Sequence, residues 1–293
     1  MKKNIPIIIS LVLCCILVAS LTADAEETPL HIMSFNIRYD NPGDGDDAWP
    51  HRKDIAASMI RFHGADIAGL QEALKHQVDD LAERLPEYAW FGVGRDDGRE
   101  AGEYMAVFYR KDRLELLEQA TFWLSETPEK PGMGWDAACN RVVTWGHFSD
   151  RATGKTFYHF NTHFDHRGET ARRESAKLLL TQIREIAGSA PITVTGDFNA
   201  QPSSEPIVII TGGLAGDTSS KLIDSRAVSR HGHHGPSGTW SGFSSAGKPG
   251  DEPIDYVFIK NKVTVLQHGT LSDTFDGRFP SDHMPVLAVV TIQ

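Results

Sequence analysis

Short β-branched and apolar runs recur along this chain, and the way they end limits the folds open to it. A buried strand reads as such a run halted by a turn residue. Ile192-Thr193-Val194 is one, halted at Gly196, and it delivers Asp197-Phe198-Asn199. Residues two apart on an extended chain face the same way, so Asp197 and Asn199 project together. Alone, the pair reads first as an Asx turn, which Asp and Asn form readily. Its carboxylate and amide also suit a hard cation, a water or a phosphate oxygen. The same ending recurs. Asn36 stands near the end of the run Leu30–Ile37, Glu72 just after Ile67–Leu70, and His163 just after Thr156–Asn161. Asp255 lies at the start of the run Ile254–Ile259, and Asp282-His283 come just before Val286–Thr291. These are ligand or proton-transfer types, where Ser, Gly or Pro would be usual.

The rest of the chain supplies a frame for those ends. Lys2 and Lys3 precede an apolar core from Ile5 to Leu21, and Ala23-Asp24-Ala25 offers a small-x-small pattern. Residues 1–25 therefore read as an export signal cleaved after Ala25, leaving one domain over 26–293 in the periplasm or outside the cell. Pro6, Ser10 and Ser20 break the apolar core and argue against a membrane anchor; Leu13 before Cys14 is too large for lipoprotein processing. The formal net charge is −10, and it becomes one unit more negative when Lys2, Lys3 and Asp24 leave. So acidic a surface is not built for sequence-blind binding of polyanions, which disfavours nucleic acid as a partner without excluding a nuclease. Cys14 and Cys15 also leave, so Cys139 can form no internal disulfide and reads as structural. Stability must come from a core, which a chain of this length can bury as a monomer.

Apolar spacing places helices over Trp49–His63 and Glu169–Ala187, and another through Val78, Leu81 and Leu85. Met105–Tyr109 and Leu114–Leu117 read as strands joined by a turn at Lys111-Asp112. Val142–Trp145 and Thr156–Asn161 read as antiparallel neighbours, and Val263–Gln267 as the partner of Ile254–Ile259. Asp40–Asp47 lacks the spacing and terminal Glu of an EF-hand and reads as a solvated loop. The loop Gly92–Glu100 reads as a hairpin tip or as a rim over a site, and His231–Trp240, with its three histidines, as a surface loop first and a substrate contact second.

A sheet that gathers these polar ends on one edge makes an acidic pocket with imidazoles. That composition suits a divalent metal and general acid/base chemistry on a phosphate ester. Six blocks carry a resemblance: Ser34-Phe35-Asn36-Ile37, Leu70-Gln71-Glu72, Asn161-Thr162-His163, Gly196-Asp197-Phe198-Asn199, Ile254-Asp255-Tyr256 and Ser281-Asp282-His283. In order, they resemble the signature blocks of the endonuclease/exonuclease/phosphatase superfamily, which includes DNase I-like nucleases, inositol polyphosphate phosphatases and neutral sphingomyelinases. The resemblance implies an α/β four-layer sandwich, with two mixed, mostly antiparallel sheets packed face to face and helices on both outer sides. It implies Mg2+, with Mn2+ as an alternative, held by Glu72, Asn36 and Asp282. Asp197 would position or deprotonate the attacking water, and Asn199 would hold that water or a phosphate oxygen. His283, oriented by Asp255, would contact the scissile phosphate or transfer a proton, and His163 would stabilise charge on phosphorus. Glu103 matches the acidic partner of that histidine in DNase I-like members, and Arg141 the phosphate-binding arginine.

The reaction implied is in-line attack by water on a phosphodiester or phosphomonoester. An extracellular nuclease is the alternative. A non-catalytic binding module would have lost some polar blocks, and none is missing. The basic helices of some nucleic-acid members and the further inositol phosphatase signature are both absent. Trp123, Trp135, Trp145 and Trp240 could form an aromatic wall or pack in the core.

Overall fold

The computed structural model describes residues 28–244 and 251–293, so the segment read as an export signal lies outside the described residues. Two strand–helix–strand units set the architecture. β1 (Leu30–Asn36), α1 (Trp49–Phe62) and β2 (Ile67–Gln71) form the first, with β1 and β2 adjacent and parallel. α2 (Lys75–Arg84), β3 (Tyr88–Phe91), β4 (Val107–Arg110), β5 (Leu114–Trp123) and β6 (Val142–Asp150) follow. β7 (Thr156–His163), α3 (Glu169–Ala187) and β8 (Ile192–Asp197) repeat the parallel unit. Then come α4 (Glu205–Gly212), β9 (Ile223–Asp224), α5 (Ser225–Val228), β10 (His233–His234), β11 (Asp255–Lys260), β12 (Val263–Thr270) and β13 (Val286–Ile292). One sheet has seven strands in the order β10-β12-β13-β1-β2-β4-β3; the other has six, β5-β6-β7-β8-β11-β9. Most neighbours are antiparallel. The fold is the α/β sandwich the resemblance implies.

Period-two alternation decides which face of each strand goes where. Met33 and Phe35 of β1, with Ala68 and Leu70 of β2, pack against Ala56, Ile60 and Leu81 of α1 and α2. Val194 of β8, with Phe160 and Phe258, packs against Leu179, Leu180 and Ile183 of α3. The remaining faces meet each other: Leu30, Ile32, Ile67, Phe148, Phe157, Val257 and Ile259 fill the seam between the sheets. Toward the other end of those strands the same inward positions turn polar. Ser34 and Asn36 follow Ile32, while His159, Asn161 and His163 follow Phe157; all five are buried. Thr193, Thr195 and Asp197 line the corresponding face of β8. The inter-sheet seam is therefore apolar at one end and hydrogen-bonded at the other, where the parallel strands of both units finish.

One pairing differs from what the sequence suggests. β12 does not pair with β11 but with β13 and β10 in the seven-stranded sheet, while β11 pairs with β8 and β9. The short connection through Asn261, at φ 61°, carries the chain from one sheet to the other. β4 and β5 are likewise consecutive yet lie in different sheets. His233 and His234 form an edge strand, in register with His268 and Gly269, where a surface loop was expected. β3 has no counterpart in the sequence reading. Among the described residues, no helix is long and apolar enough to cross a membrane.

Candidate active site

A floor of buried polar side chains comes first. Thr193 Oγ1 lies 2.9 Å from His159 Nδ1, and Thr195 Oγ1 lies 3.2 Å from His159 Nε2. Thr195 Oγ1 also donates to Asn161 Oδ1 at 3.0 Å, and Gln71 Nε2 donates to the same oxygen at 2.6 Å. Asn161 Nδ2 reaches across to the Leu70 carbonyl at 2.8 Å. Polar groups taken from water must be paired, and this network ties β2, β7 and β8 together beneath the strand ends. Burial lowers the His159 pKa to about 3, so it is neutral here.

Asp197 stands above that floor, next to His163 in the β7/β8 register and Asp255 in the β8/β11 register. Its Oδ1 accepts the Asn199 N–H at 2.9 Å. Its Oδ2 accepts the Asn36 amide at 3.0 Å and faces His163 Nε2 at 3.4 Å and His283 Nε2 at 3.8 Å. Asn36 Nδ2 donates equally to Glu72 Oε1 at 3.0 Å, and the Tyr39 N–H donates to Glu72 Oε2 at 3.2 Å. Ligand atoms of Glu72, His163 and Asp197 all lie within 4.8 Å of one another, as do those of Asp197, Asp255 and His283. Asp197 joins the two groups. His283 Nδ1 is 2.8 Å from Asp255 Oδ2, which also accepts the Thr239 hydroxyl at 2.6 Å. Asn199 Nδ2 donates to His163 Nε2 at 3.0 Å and to the Phe164 carbonyl at 3.1 Å. Glu72 and Asn199 both sit at positive φ, 64° and 46°, a strained choice for residues with a Cβ and one that clusters at working sites.

The remaining sequence candidates lie at the margins of this cluster. Asp282 Oδ2 is 3.9 Å from Arg38 Nε, and the Asp44 carboxylate grips that guanidinium at 3.0 and 3.1 Å. Glu103 Oε2 is 4.0 Å from His163 Nδ1, but its close partner is Arg95 Nη1 at 2.5 Å. Arg141 donates through Nε to Asp165 at 3.4 Å and through Nη2 to His166 Nδ1 at 3.0 Å. Arg52 is fully buried and donates to the carbonyls of Ile37 and Pro280, both at 2.8 Å, so it ties the end of β1 to the segment before Asp282. The sequence reading did not single out Arg95, Arg38, Arg52 or Thr239. Arg95 had a signal in its place in the loop read as a possible rim, and Thr239 in the loop read second as a substrate contact.

Burial and the nearby Asp255 raise the Asp197 pKa to about 7. Burial opposes charge on His283, yet Asp255 and Asp197 outweigh it and hold the imidazole well above its ordinary value. His163 goes the other way, lowered by burial and by Arg141 and Arg95. The result is one readily protonated imidazole and one neutral imidazole on either side of a carboxylate. Burial also raises Asp282, with Glu72 adding to the repulsion. Neighbouring carboxylates with few cations between them, offering oxygen atoms, are a donor set that fits a hard divalent cation. Asn36 presents its amide N–H to two of those carboxylates and its Oδ1 to the Arg38 N–H at 3.0 Å. It therefore fixes how Glu72 and Asp197 face each other.

Of the four tryptophans considered for an aromatic wall, Trp123 and Trp145 are buried, whereas Trp240 is 58% exposed and pairs by a backbone bridge with His283.

The sequence profile of the Endonuclease/Exonuclease/phosphatase family matches residues 33–283. A protein of Acanthamoeba polyphaga mimivirus is 28% identical over 160 residues, which are 52% of this chain and 59% of that one. Nocturnin of Drosophila melanogaster is 24% identical over 207 residues, 64% of this chain and 31% of Nocturnin. The chain thus spans under two thirds of either relative. Among solved structures, an endonuclease/exonuclease/phosphatase from Bacteroides vulgatus is 42% identical with a TM-score of 0.85, covering 91% of this chain and 100% of that one. A mannosyl-6-phosphatase from Bacteroides thetaiotaomicron is 36% identical with a TM-score of 0.81, covering 90% of this chain and 100% of that one.

Proposed function

We propose that this chain, which belongs to the endonuclease/exonuclease/phosphatase family, is a metal-dependent phosphoesterase acting on a small phosphate ester. The placement of Asp197 carries the reading: one carboxylate oxygen faces Asn36, His163 and His283 together, at 3.0, 3.4 and 3.8 Å. A water held by Asp197 and Asn199 loses its proton to the Asp197 carboxylate as its oxygen attacks phosphorus. The P–O bond to the leaving group breaks in line; the leaving oxygen takes a proton from solvent water and departs as an alcohol, and Asp197 returns its proton to solvent. His283, aimed by Asp255, donates to the phosphoryl group, and the neutral His163 offers a second donor to the charge that develops there. Glu72 and Asp282 would hold a divalent cation, with Asn36 orienting the Glu72 carboxylate; when bound, that cation supplies charge neutralisation at the phosphoryl oxygens.

The acidic composition and the mannosyl-6-phosphatase relative both support a small substrate over nucleic acid. Exposed Trp240 beside His283 offers an organic leaving group a flat surface to stack on. We further propose that the chain is exported after cleavage at Ala25 and acts as a monomer. The mass of the protein recovered from the cell exterior checks the first, and light scattering the second.

Hydrolysis of phosphomonoesters, inositol phosphates, phospholipids and nucleic acids with Mg2+, Mn2+ and chelator tests the function. Turnover is expected with a small ester and is expected to vanish with chelator. Asp197→Ala and His283→Ala should each lower kcat by about 10²–10⁴ with the fold intact. Near-wild-type turnover by either variant would sink the assignment.

A further inference from the structure

Three N–H donors near His163 lack an acceptor: Arg141 Nη1, Arg95 Nε and His163 Nδ1 are buried and make no hydrogen bond. Buried donors are nearly always paired, so several in one place point to where a ligand's acceptors go. They are close together. Glu103 Oε2 lies 2.5 Å from Arg95 Nη1 and 4.0 Å from His163 Nδ1, and Asn140 Nδ2, next to Arg141, donates to Asp96 Oδ1, next to Arg95, at 3.2 Å. The Arg141 side chain is 4% exposed and the Arg95 side chain 13%, so a bound anion would meet both with little water between.

Arg95 is held rigidly enough to select a ligand. Its N–H donates to the Glu103 carbonyl at 3.1 Å, and its own carbonyl accepts the Trp123 indole N–H at 2.7 Å. A Cβ at Gly94 would stand 2.3 Å from the Ala101 carbonyl oxygen, so only glycine lets the loop close this tightly just before Arg95. Glu103 then occupies one arm of the guanidinium and leaves Nε without a hydrogen bond, its nearest carboxylate being Asp96 Oδ1 at 3.9 Å.

We propose that Arg95 joins Arg141 in binding the substrate phosphoryl group, and that the two select phosphomonoesters over phosphodiesters. The inference rests on the phosphoesterase reading above. A monoester phosphate carries two charges on three terminal oxygens, whereas a diester carries one charge on two. Two planar guanidiniums with free N–H groups match the first, because charge-assisted bonds to phosphate strengthen with the acceptor's charge.

Calorimetric titration of the full chain in Mg2+ at pH 8, with inorganic phosphate and with dimethyl phosphate, tests this. The wild type should bind phosphate at least about tenfold more tightly than dimethyl phosphate, and Arg95→Gln should bind phosphate about 10- to 100-fold more weakly. Dimethyl phosphate affinity should hardly change, and Arg95→Lys should recover part of the loss. Parallel kcat/KM values with 4-nitrophenyl phosphate and bis(4-nitrophenyl) phosphate should follow the same order, with thermal melts confirming that each variant folds. A merely structural Arg95 would weaken both anions alike, and that result, or unchanged phosphate affinity in Arg95→Gln, overturns the proposal. A wild type that prefers the diester also overturns it while leaving the phosphoesterase reading standing. A wild type that hydrolyses neither ester removes that reading, and the phosphate titration still decides the role of Arg95.

Discussion

A methyl group added at Gly69 would stand 2.1 Å from Thr195 Oγ1 and 2.6 Å from Asn161 Oδ1. Both atoms are buried members of the polar floor, with little freedom to move aside. Gly69→Ala is therefore expected to cost about 1–3 kcal/mol through overpacking and to lower turnover by tilting Asp197. Chemical denaturation checks the first effect; an unchanged midpoint would mean that β2 and β8 can separate slightly without loss. The same scale shows why the Asp197–Asn199 pair was hard to classify from sequence. Asp197 Oδ1 does accept the Asn199 N–H, so the Asx turn is real, and Oδ2 of the same carboxylate faces two histidines. A carboxylate has two oxygens, and here each follows one of the competing readings. Nothing of that kind announced Arg95, because its tie to Glu103 bridges two sides of an irregular loop, and no periodicity marks such a contact.

The entry into α3 shows how an element is fixed by one side chain. Asp165 Oδ1 accepts the N–H groups of Arg167 at 2.9 Å and Gly168 at 2.8 Å, just ahead of the helix. Its Oδ2 accepts the Ala138 N–H at 3.1 Å and the Arg141 guanidinium at 3.4 Å. Burial opposes the charge, but these N–H groups and Arg141 hold the pKa down to about 2 against an ordinary 3.8. A carboxyl whose pKa is depressed by folding contributes stability above the unfolded value and loses it as pH falls through the folded value. Asp165 should thus contribute about 2 kcal/mol at pH 5 and above, fading between about pH 4 and pH 2. Asp165→Asn should be less stable at pH 7 and converge on the wild type near pH 2. Parallel stability curves for the two proteins across that window would contradict the account. Elements were the most legible level of this chain: α1 and α3 fall within a residue of their expected limits. Their partners were less so. β11 and β12 look like a hairpin because a short turn joins two apolar strands, yet each alternates apolar residues in a way either sheet could accept. Only contacts made far away in sequence choose between the sheets.

The molecule as a whole is divided so that one half of the site comes from each sheet. Asn36 and Glu72 come with the seven-stranded sheet, His163, Asp197 and Asp255 with the six-stranded one, and His283 from the segment leading into β13. β13 lies inside its sheet, with β1 on one side and β12 on the other, and their registers pair Leu30 with Val290 and Val263 with Ile292. Removing Val286–Gln293 would strip a hydrogen-bonding partner from both neighbours and unseat Val290 and Ile292 from the inter-sheet seam. Such a chain is expected to show no cooperative melting transition and no turnover. A sharp thermal transition in the truncated protein would refute this. The placement of β13 also has a consequence for timing. Contacts between segments so distant in sequence form late, because the long intervening loop must close first. A nascent chain can display Asn36 and Glu72 long before His283 has been made, and β1 must wait for its neighbour. Hydrolytic chemistry should therefore appear only once β13 has been made, with no partly synthesised form able to attack phosphate esters on the way.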